Sequence, residues 1–423
     1  MSKPVPGKKY TVVTGDYLGK IAQKAYGEFI KWRIIWQANQ TTLKSDDPDL
    51  IFPGEIIIIP GVAENEPQER KEKSAKLKIG NKTKEQFTLL LDGIEVPVQS
   101  SKIIRTMDTA ADGWTAKVAR DLESDKRLEQ LIRPYSYTKA SVYLGSNLMI
   151  DGALYVTSPI LETSGISADL EGFSSTADII DSTLKPPYEK NKVTLEQYAK
   201  SALAPFGIDA IFETSSGGKF DRITANQTDT VFSVLARYAS QRGLLISSTP
   251  SGDLLFLKAN TKSKPVATIE EGKTLAAGYS ATYDGRLRFN VYKAVGQSPG
   301  SNKNTIVAKD DQVSRSRFLT FTANDSTSGN IKNAAEWKRS KQIAESMAMS
   351  FPVRDWYTPD GEMWKENTLI TLKSKALFIP DGFDFLVKSV EYSYGLDGRS
   401  SVLNLVPPQV YTGEPVPEPW KDI

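Results

Sequence analysis

Tyr10 to Pro60 reads YTVVTGDYLGKIAQKAYGEFIKWRIIWQANQTTLKSDDPDLIFPGEIIIIP, and its spacing decides the fold of the first part of the chain. Leu18, Ile21, Ala22 and Ala25 fall at i, i+3, i+4 and i+7, the apolar face of one helix, which Asp16 is placed to cap and Gly27 to stop. A second helix is predicted from about residue 30 to 38, carrying Trp32, Ile34, Ile35 and Trp36. The β-branched runs 10–13 and 55–59 predict a strand on either side. Pro53-Gly54 supplies a locked φ and then a permissive one for the turn into the last strand. The predicted order is strand, helix, helix, strand.

Working outward, the chain has 423 residues, with Lys+Arg 53 against Asp+Glu 51. A net charge of +2 gives no global field for nucleic acid or an anionic membrane. No apolar run approaches the roughly 18 residues of a membrane span, and the first residues lack the apolar core of a signal peptide. Synthesis in a cytoplasm, where the chain is at least at first kept, is therefore expected. Zero Cys and zero His exclude disulfides, thiolate or imidazole catalysis and the usual zinc ligand sets. An enzyme built from this chain would have to use carboxylates, Lys, Tyr or Ser.

Beyond residues 1–60 the sequence divides by composition. Residues 61–76 are charged and poor in large apolar side chains, a linker. Residues 77–190 form a first β-rich region, opening with FTLLL, Asp92-Gly93 and IEVPV, a hairpin with a two-residue loop. Asp-Gly recurs at 112, 151, 284, 360, 381 and 397, which predicts antiparallel sheet with tight connections, including separate strands 141–144, 148–150, 153–157 and 160–172. Residues 191–274 read as an α/β insert, with helical faces at Leu195, Tyr198, Ala199, Ala202 and at Val231, Leu235, Tyr238, Ala239. Residues 275–408 form a second β-rich region, with a polar loop at 297–304 and a helix from about 331 to 349 lined by Ala334, Trp337, Ala344 and Ala348. Residues 409–423 are Pro-rich and predicted extended or disordered. The class is α+β, predominantly antiparallel β.

The opening YTVVTGDYL, the AYG after helix one, the WQAN of helix two and the closing DPDLIFPGEIIIIP resemble a LysM domain. In glycan-binding members of that family, N-acetylated sugars lie between the loop after strand one and the loop before strand two. The resemblance places that groove at Gly15, Asp16, Tyr17 and Leu18 and at Pro48, Asp49, Leu50, Ile51 and Phe52. Tyr17 departs from the family, which has Thr or Ser there, and a phenol at the groove lip favours a docking use over a sugar site.

The block AAEWKRSKQIAESMAMSFPVRDWYTPDGEMWKENTLITLKSKALFIPDGFDFLVKSVEYSYGLDGRSSVLNLVPPQVY resembles the C-terminal part of contractile-tail baseplate hub proteins, the phage late control D and Mu-type hub family. The stretches LLLDGIEVPVQSSKIIRTMDTAADGWTAKVARD and VFSVLARYASQRGLLIS are similar to it as well, so the likeness runs from about 77 to 410. It implies two tube-like β-barrel domains with the insert between them. It further implies a homotrimeric ring that adapts a sixfold tail tube to a threefold spike in the virion. Expected partners are the tube protein, the spike protein, other baseplate components through LysM, and DNA only in passage through the channel. The alternative is a peptidoglycan-targeted cell-wall enzyme or glycan-binding subunit that uses LysM for wall attachment.

No catalytic constellation assembles in the sequence. GQSPGSNKN from Gly296 has the wrong spacing to cradle phosphate, and the pairs Asp46-Asp47 with Asp49, Glu270-Glu271 and Asp310-Asp311 lack spaced metal-ligand geometry. Ser136 to Lys139 and Ser182 to Lys185 match Ser-x-x-Lys without the accompanying motifs of acyl-serine enzymes. Trp114, Trp337, Trp356 and Trp364 read as core or interface anchors. The expectation is a structural protein with no catalytic residue, no metal and no cofactor.

Overall fold

The computed structural model describes residues 4–416 except 15, 27–31, 40–42, 44, 46–50, 61–85, 124, 164, 274–277, 297–304, 324–330 and 397. The expected linker and polar loop lie outside the described residues. The chain divides into two compact units, Met1–Ile79 and Gly80–Ile423.

The small unit runs β1 (Lys9–Thr11), α1 (Leu18–Tyr26), α2 (Trp32–Asn39) and β2 (Ile56–Ile58), the predicted order. β1 and β2 pair antiparallel with Tyr10 opposite Ile57. Tyr10, Val12, Leu18, Ile21, Ala22, Ile35, Ile51, Ile57 and Ile59 form the core. Asn39 locks it: its Nδ2 donates to Ile35 O at 2.6 Å and Ile58 O at 2.8 Å, while its Oδ1 accepts from Ile58 N at 2.8 Å. A buried amide satisfied on both sides fixes the helix-to-strand register.

In the large unit the first β-rich region comprises β3 (Phe87–Leu91), β4 (Ile94–Val96), β5 (Ser100–Thr106), β6 (Gly113–Ala119), α3 (Lys126–Leu131), β7 (Lys139–Leu144), β8 (Asn147–Glu162) and β9 (Gly165–Ser174). Asp92 and Gly93 both take positive φ, 46° and 77°, as the two-residue hairpin loop requires. The Asp-Gly at 151 behaves differently. It lies inside β8, where a Cβ on Gly152 would come 1.9 Å from Phe173 O, so this glycine permits close strand approach; the two short strands expected at 148–150 and 153–157 fuse into one, and the longer one expected over 160–172 is divided between β8 and β9.

The insert follows: α4 (Asp178–Asp181), β10 (Glu189–Val193), α5 (Leu195–Leu203), β11 (Ala210–Phe212), β12 (Phe220–Thr224), α6 (Val231–Ser240), β13 (Leu245–Ser248) and β14 (Leu254–Leu257). Thr194 and Gln197 close a reciprocal capping box at the start of α5, and Thr230 accepts from Ser233 N at the start of α6. Both helices bury their predicted faces in a separate core around Leu195, Leu235 and Phe256.

The remainder comprises β15 (Ala267–Glu270), β16 (Ser280–Tyr283), β17 (Val291–Gly296), β18 (Thr305–Lys309), β19 (Phe318–Ala323), α7 (Ile331–Glu345), β20 (Met347–Val353), β21 (Leu369–Ser374), β22 (Ile379–Gly395), β23 (Gly398–Val406) and α8 (Gln409–Thr412). The two β-rich regions share one large sheet, while β17, β18 and β19 form a separate one in the order β18-β17-β19. The order of the large sheet is β16-β20-β23-β22-β5-β6-β9-β8-β7-β3-β4, with β21 joining β22 and β15 joining β21. The seam is β5 against β22, from Ser101 opposite Tyr394 to Thr106 opposite Ser389. One core spans the seam, with Leu89, Ile103 and Trp114 from one side and Phe351, Phe385 and Leu403 from the other. This path of paired strands is open; among the described residues no ring of strands closes.

Two expectations are corrected here, for the long helix and for the tail. The helix expected to reach 349 ends at Glu345, because Met347 and Met349 are buried in β20, so Ala348 belongs to a strand. The tail expected to be extended begins with α8, which docks by Val410 and by Tyr411 Oη donating to Asp108 at 2.9 Å. Trp114, Trp356 and Trp364 are buried, whereas Trp337 is 41% exposed beside Lys341 and therefore lies outside the core.

Candidate functional site

The LysM lip is built by two turns at one end of the β-pair. Gly54 N donates to Val12 O and Val12 N to Glu55 O, which sets the turn 52–55 against the end of β1. The turn itself is closed by Phe52 N donating to Glu55 Oε2 at 2.6 Å. On the other side Asp16 Oδ2 accepts from Tyr10 Oη at 2.6 Å and Val13 N at 3.2 Å, and Lys24 Nζ lies 3.4 Å from its Oδ1. The Asp16 carboxylate therefore ties the loop to β1 where a helix cap was expected, and α1 opens instead on Ile21 N donating to Tyr17 O. Burial opposes the charge, but the Tyr10 hydroxyl, the Val13 N–H and Lys24 together hold Asp16 below the usual carboxylate range. Burial and the Asp16 charge push the Tyr10 hydroxyl up to about 12.

Of the nine groove residues, Gly15, Pro48, Asp49 and Leu50 lie outside the described residues. Leu18 and Ile51 belong to the core, and Asp16 is engaged internally. Tyr17 and Phe52 face outward, 49% and 40% exposed. Ile56 and Ile58 add apolar surface on the outer face of β2. Their exposure follows from the alternation with buried Ile57 and Ile59, a signal present in the run IIII.

In the large unit a second constellation was invisible in the sequence because its members come from all three regions. Arg105 of β5 donates through Nε and Nη2 to Glu366 Oε1, at 3.1 and 2.8 Å. It also donates to Met149 O of β8 at 2.7 Å and to Ser248 O of β13 at 3.2 Å, and its Nη1 lies 3.1 Å from Asp112 Oδ2. Asp112 in turn accepts from Thr106 N and from the Ser248 hydroxyl, at 2.9 and 2.6 Å. This cluster pins the insert to the seam of the sheet.

Exposed aromatics mark the large unit's surface at Tyr135 and Tyr137, in the loop between α3 and β7. Both take positive φ, 61° and 49°, a conformation unusual for bulky residues. Ser136 and Thr138 hydroxyls donate to Leu131 O and hold the loop there. Tyr137 meets Tyr155 edge-on, and Tyr155 meets Phe173 likewise.

Among the described residues the catalytic candidates do not come together; Asp46, Asp47 and Asp49 lie outside them. Ser136 donates to Leu131 O and Lys139 pairs with Asp151; Glu271 accepts from Ser374, and Asp310 pairs with Arg288. Among the described residues no group of three His, Cys, Asp or Glu could hold a metal ion. No described helix is long and apolar enough to cross a membrane.

Residues 10–60 match the LysM domain model. Residues 176–258 match the second domain of baseplate hub protein gp44-like proteins, and 327–414 the fourth domain of the Mu phage baseplate assembly protein GpP. Baseplate hub protein gp44 of Escherichia phage Mu is 23% identical over 285 residues, 64% of this chain and 75% of that protein. The potassium binding protein Kbp of Escherichia coli is 43% identical over 51 residues, 12% of this chain and 33% of that protein. Among solved structures, the 43 kDa tail protein of prophage MuSo2 from Shewanella oneidensis has a TM-score of 0.69 at 24% identity, over 77% of this chain and 99% of that one. The tail protein from Neisseria meningitidis MC58 gives 0.66 at 18% identity, over 78% and 99%. The chain thus carries a match to the LysM domain followed by matches to two domains of Mu-type baseplate hub proteins.

Proposed function

We propose that the protein is a structural baseplate hub of a phage or phage-derived contractile tail, located in the virion. The observation that carries this reading is the order of hub-family matches, 176–258 and then 327–414, on a unit whose insert and seam are fused into one body. In this reading three copies form a ring that adapts the sixfold tube above to the threefold spike below. Closed cyclic symmetry ends the assembly at three. Tyr135 and Tyr137, held outward at a conformational cost, are aromatic anchors offered to a neighbouring subunit or tail component.

The LysM unit acts as a docking arm, with Tyr17, Phe52, Ile56 and Ile58 as its contact surface. Electron microscopy of the assembled baseplate tests the ring: three copies about the axis support it, and six copies overturn it. Pull-down on purified peptidoglycan separates the two uses of LysM. Retention that chitin fragments compete off would make sugar recognition the better account, and turnover of the wall by the purified chain would overturn the structural role.

A further inference from the structure

The Arg105 cluster carries more negative than positive charge. Arg105 and Asp112 side chains are 7% and 0% exposed, and the guanidinium lies between Asp112 and Glu366. Its N–H groups are all directed at these carboxylates or at the Met149 and Ser248 carbonyls. One guanidinium balances one carboxylate, so with both acids ionised the buried site holds an excess negative charge. The surrounding groups do not cancel it. Facing the cluster are the Tyr392 hydroxyl from β22, Tyr357, Glu213 from the insert beside Glu366, and the exposed Lys365 next to it in sequence.

We infer that this cluster is a proton-loaded clamp: in mildly acidic medium Asp112 takes up a proton on Oδ2, the Ser248 hydroxyl 2.6 Å away turns from donor to acceptor of it, the Arg105–Glu366 pair is left neutral, and the grip of the sheet on the insert at Ser248 tightens. Burial raises the Asp112 carboxyl to about 6, opposed by Arg105 and reinforced by Glu366. Burial also opposes the charge of Glu366, but Arg105 outweighs it and keeps Glu366 below the usual range. The sign follows from linkage. A carboxyl whose folded value lies above its unfolded value contributes stability that is complete below the unfolded value and lost as pH rises through about 6. Acidification from neutral to mildly acidic therefore strengthens the junction, the opposite of the usual acid effect on an ion pair.

The test is amide hydrogen exchange of β13, residues Leu245–Ser248, in the full chain at pH 5 and pH 7.5, corrected for intrinsic rates. Protection should be about tenfold higher at pH 5 if opening returns Asp112 to an ordinary carboxyl. Glu366→Gln removes the second carboxylate while keeping its oxygen for Arg105, so it should shift the dependence to lower pH and flatten it across this window. Asp112→Asn should abolish it. Should Asp112→Asn fail to fold, the Glu366→Gln profile decides alone. Equal protection at both pH values in the wild type, or an unchanged profile in Glu366→Gln, overturns the clamp.

Discussion

Each unit holds an aspartate whose side chain is almost completely covered, Asp16 at 1% and Asp112 at 0% exposure, and the two are shifted in opposite directions. Asp16 has a hydroxyl, an N–H and a lysine to itself. Asp112 has comparable hydrogen bonds but shares its only close cation with Glu366. Burial opposes the charge at both; at Asp112 it prevails because the neighbouring cation is shared, whereas at Asp16 the hydroxyl, the N–H and Lys24 together outweigh it. The cores differ in the same spirit. The LysM core closes between Tyr10 and Ile59, whereas the large core draws on residues from Phe87 to Leu405.

The strongest way to break this comparison is to unfold one unit without the other. Trp356→Ala removes a fully buried indole whose Nε1 donates to Ser393 O, and should cost the large unit about 3–5 kcal/mol. Calorimetry should show its transition falling while the LysM transition stays. A joint fall of both would show that the units are not independent in stability.

A smaller effect is expected at Asp16. Asp16→Ala leaves the Tyr10 hydroxyl and the Val13 N–H without their acceptor and should cost the LysM unit about 1–3 kcal/mol. In the wild type the lowered pKa contributes stability present above the ordinary aspartate value and lost as pH falls through the folded one. Circular dichroism melts of the chain should accordingly show the LysM transition weakening toward pH 3. The large unit's Asp112 contribution grows between pH 7 and pH 5, so a parallel drop of both contributions would contradict the contrast.

Thr194→Ala tests a local feature within the large unit. It removes one half of the α5 capping box and should lower stability by about 1 kcal/mol, measured by urea denaturation. The smallest stability change is expected for Tyr17→Ser combined with Phe52→Ser, within about 0.5 kcal/mol per site because both side chains face outward. The same double variant should nevertheless lose LysM-dependent attachment to baseplate components in a co-sedimentation assay. Unchanged attachment would move the docking surface away from the lip.

What was legible in the sequence was local. The α1 face at Leu18, Ile21 and Ala22, the Asp92-Gly93 hairpin and the α5 and α6 faces depend on neighbours a few positions away, and they form as expected. The same reasoning misread Asp151-Gly152 as a turn, because a strand glycine demanded by the nearness of Phe173 looks identical in sequence to a turn glycine. It carried the helix past Glu345 because Met347 and Met349 suit a helix as well as they suit a buried strand. At the lip it located Tyr17 and Phe52 as surface, but gave Asp16 a capping role that Tyr10 and Val13 had already taken.

The sequence by itself determined the strand, helix, helix, strand order of the LysM unit, the helices of the insert and the absence of Cys and His, since these follow from composition and short-range periodicity. Only the tertiary structure decided that β5 pairs with β22 and that Arg105 meets Glu366, 261 positions away. Pairing between distant strands is selected by the burial of a shared core, and no local propensity encodes which partner will arrive. The charge imbalance around Asp112 is a product of that assembly, because its carboxylate, its cation and the competing carboxylate become neighbours only when the seam and the insert are in place.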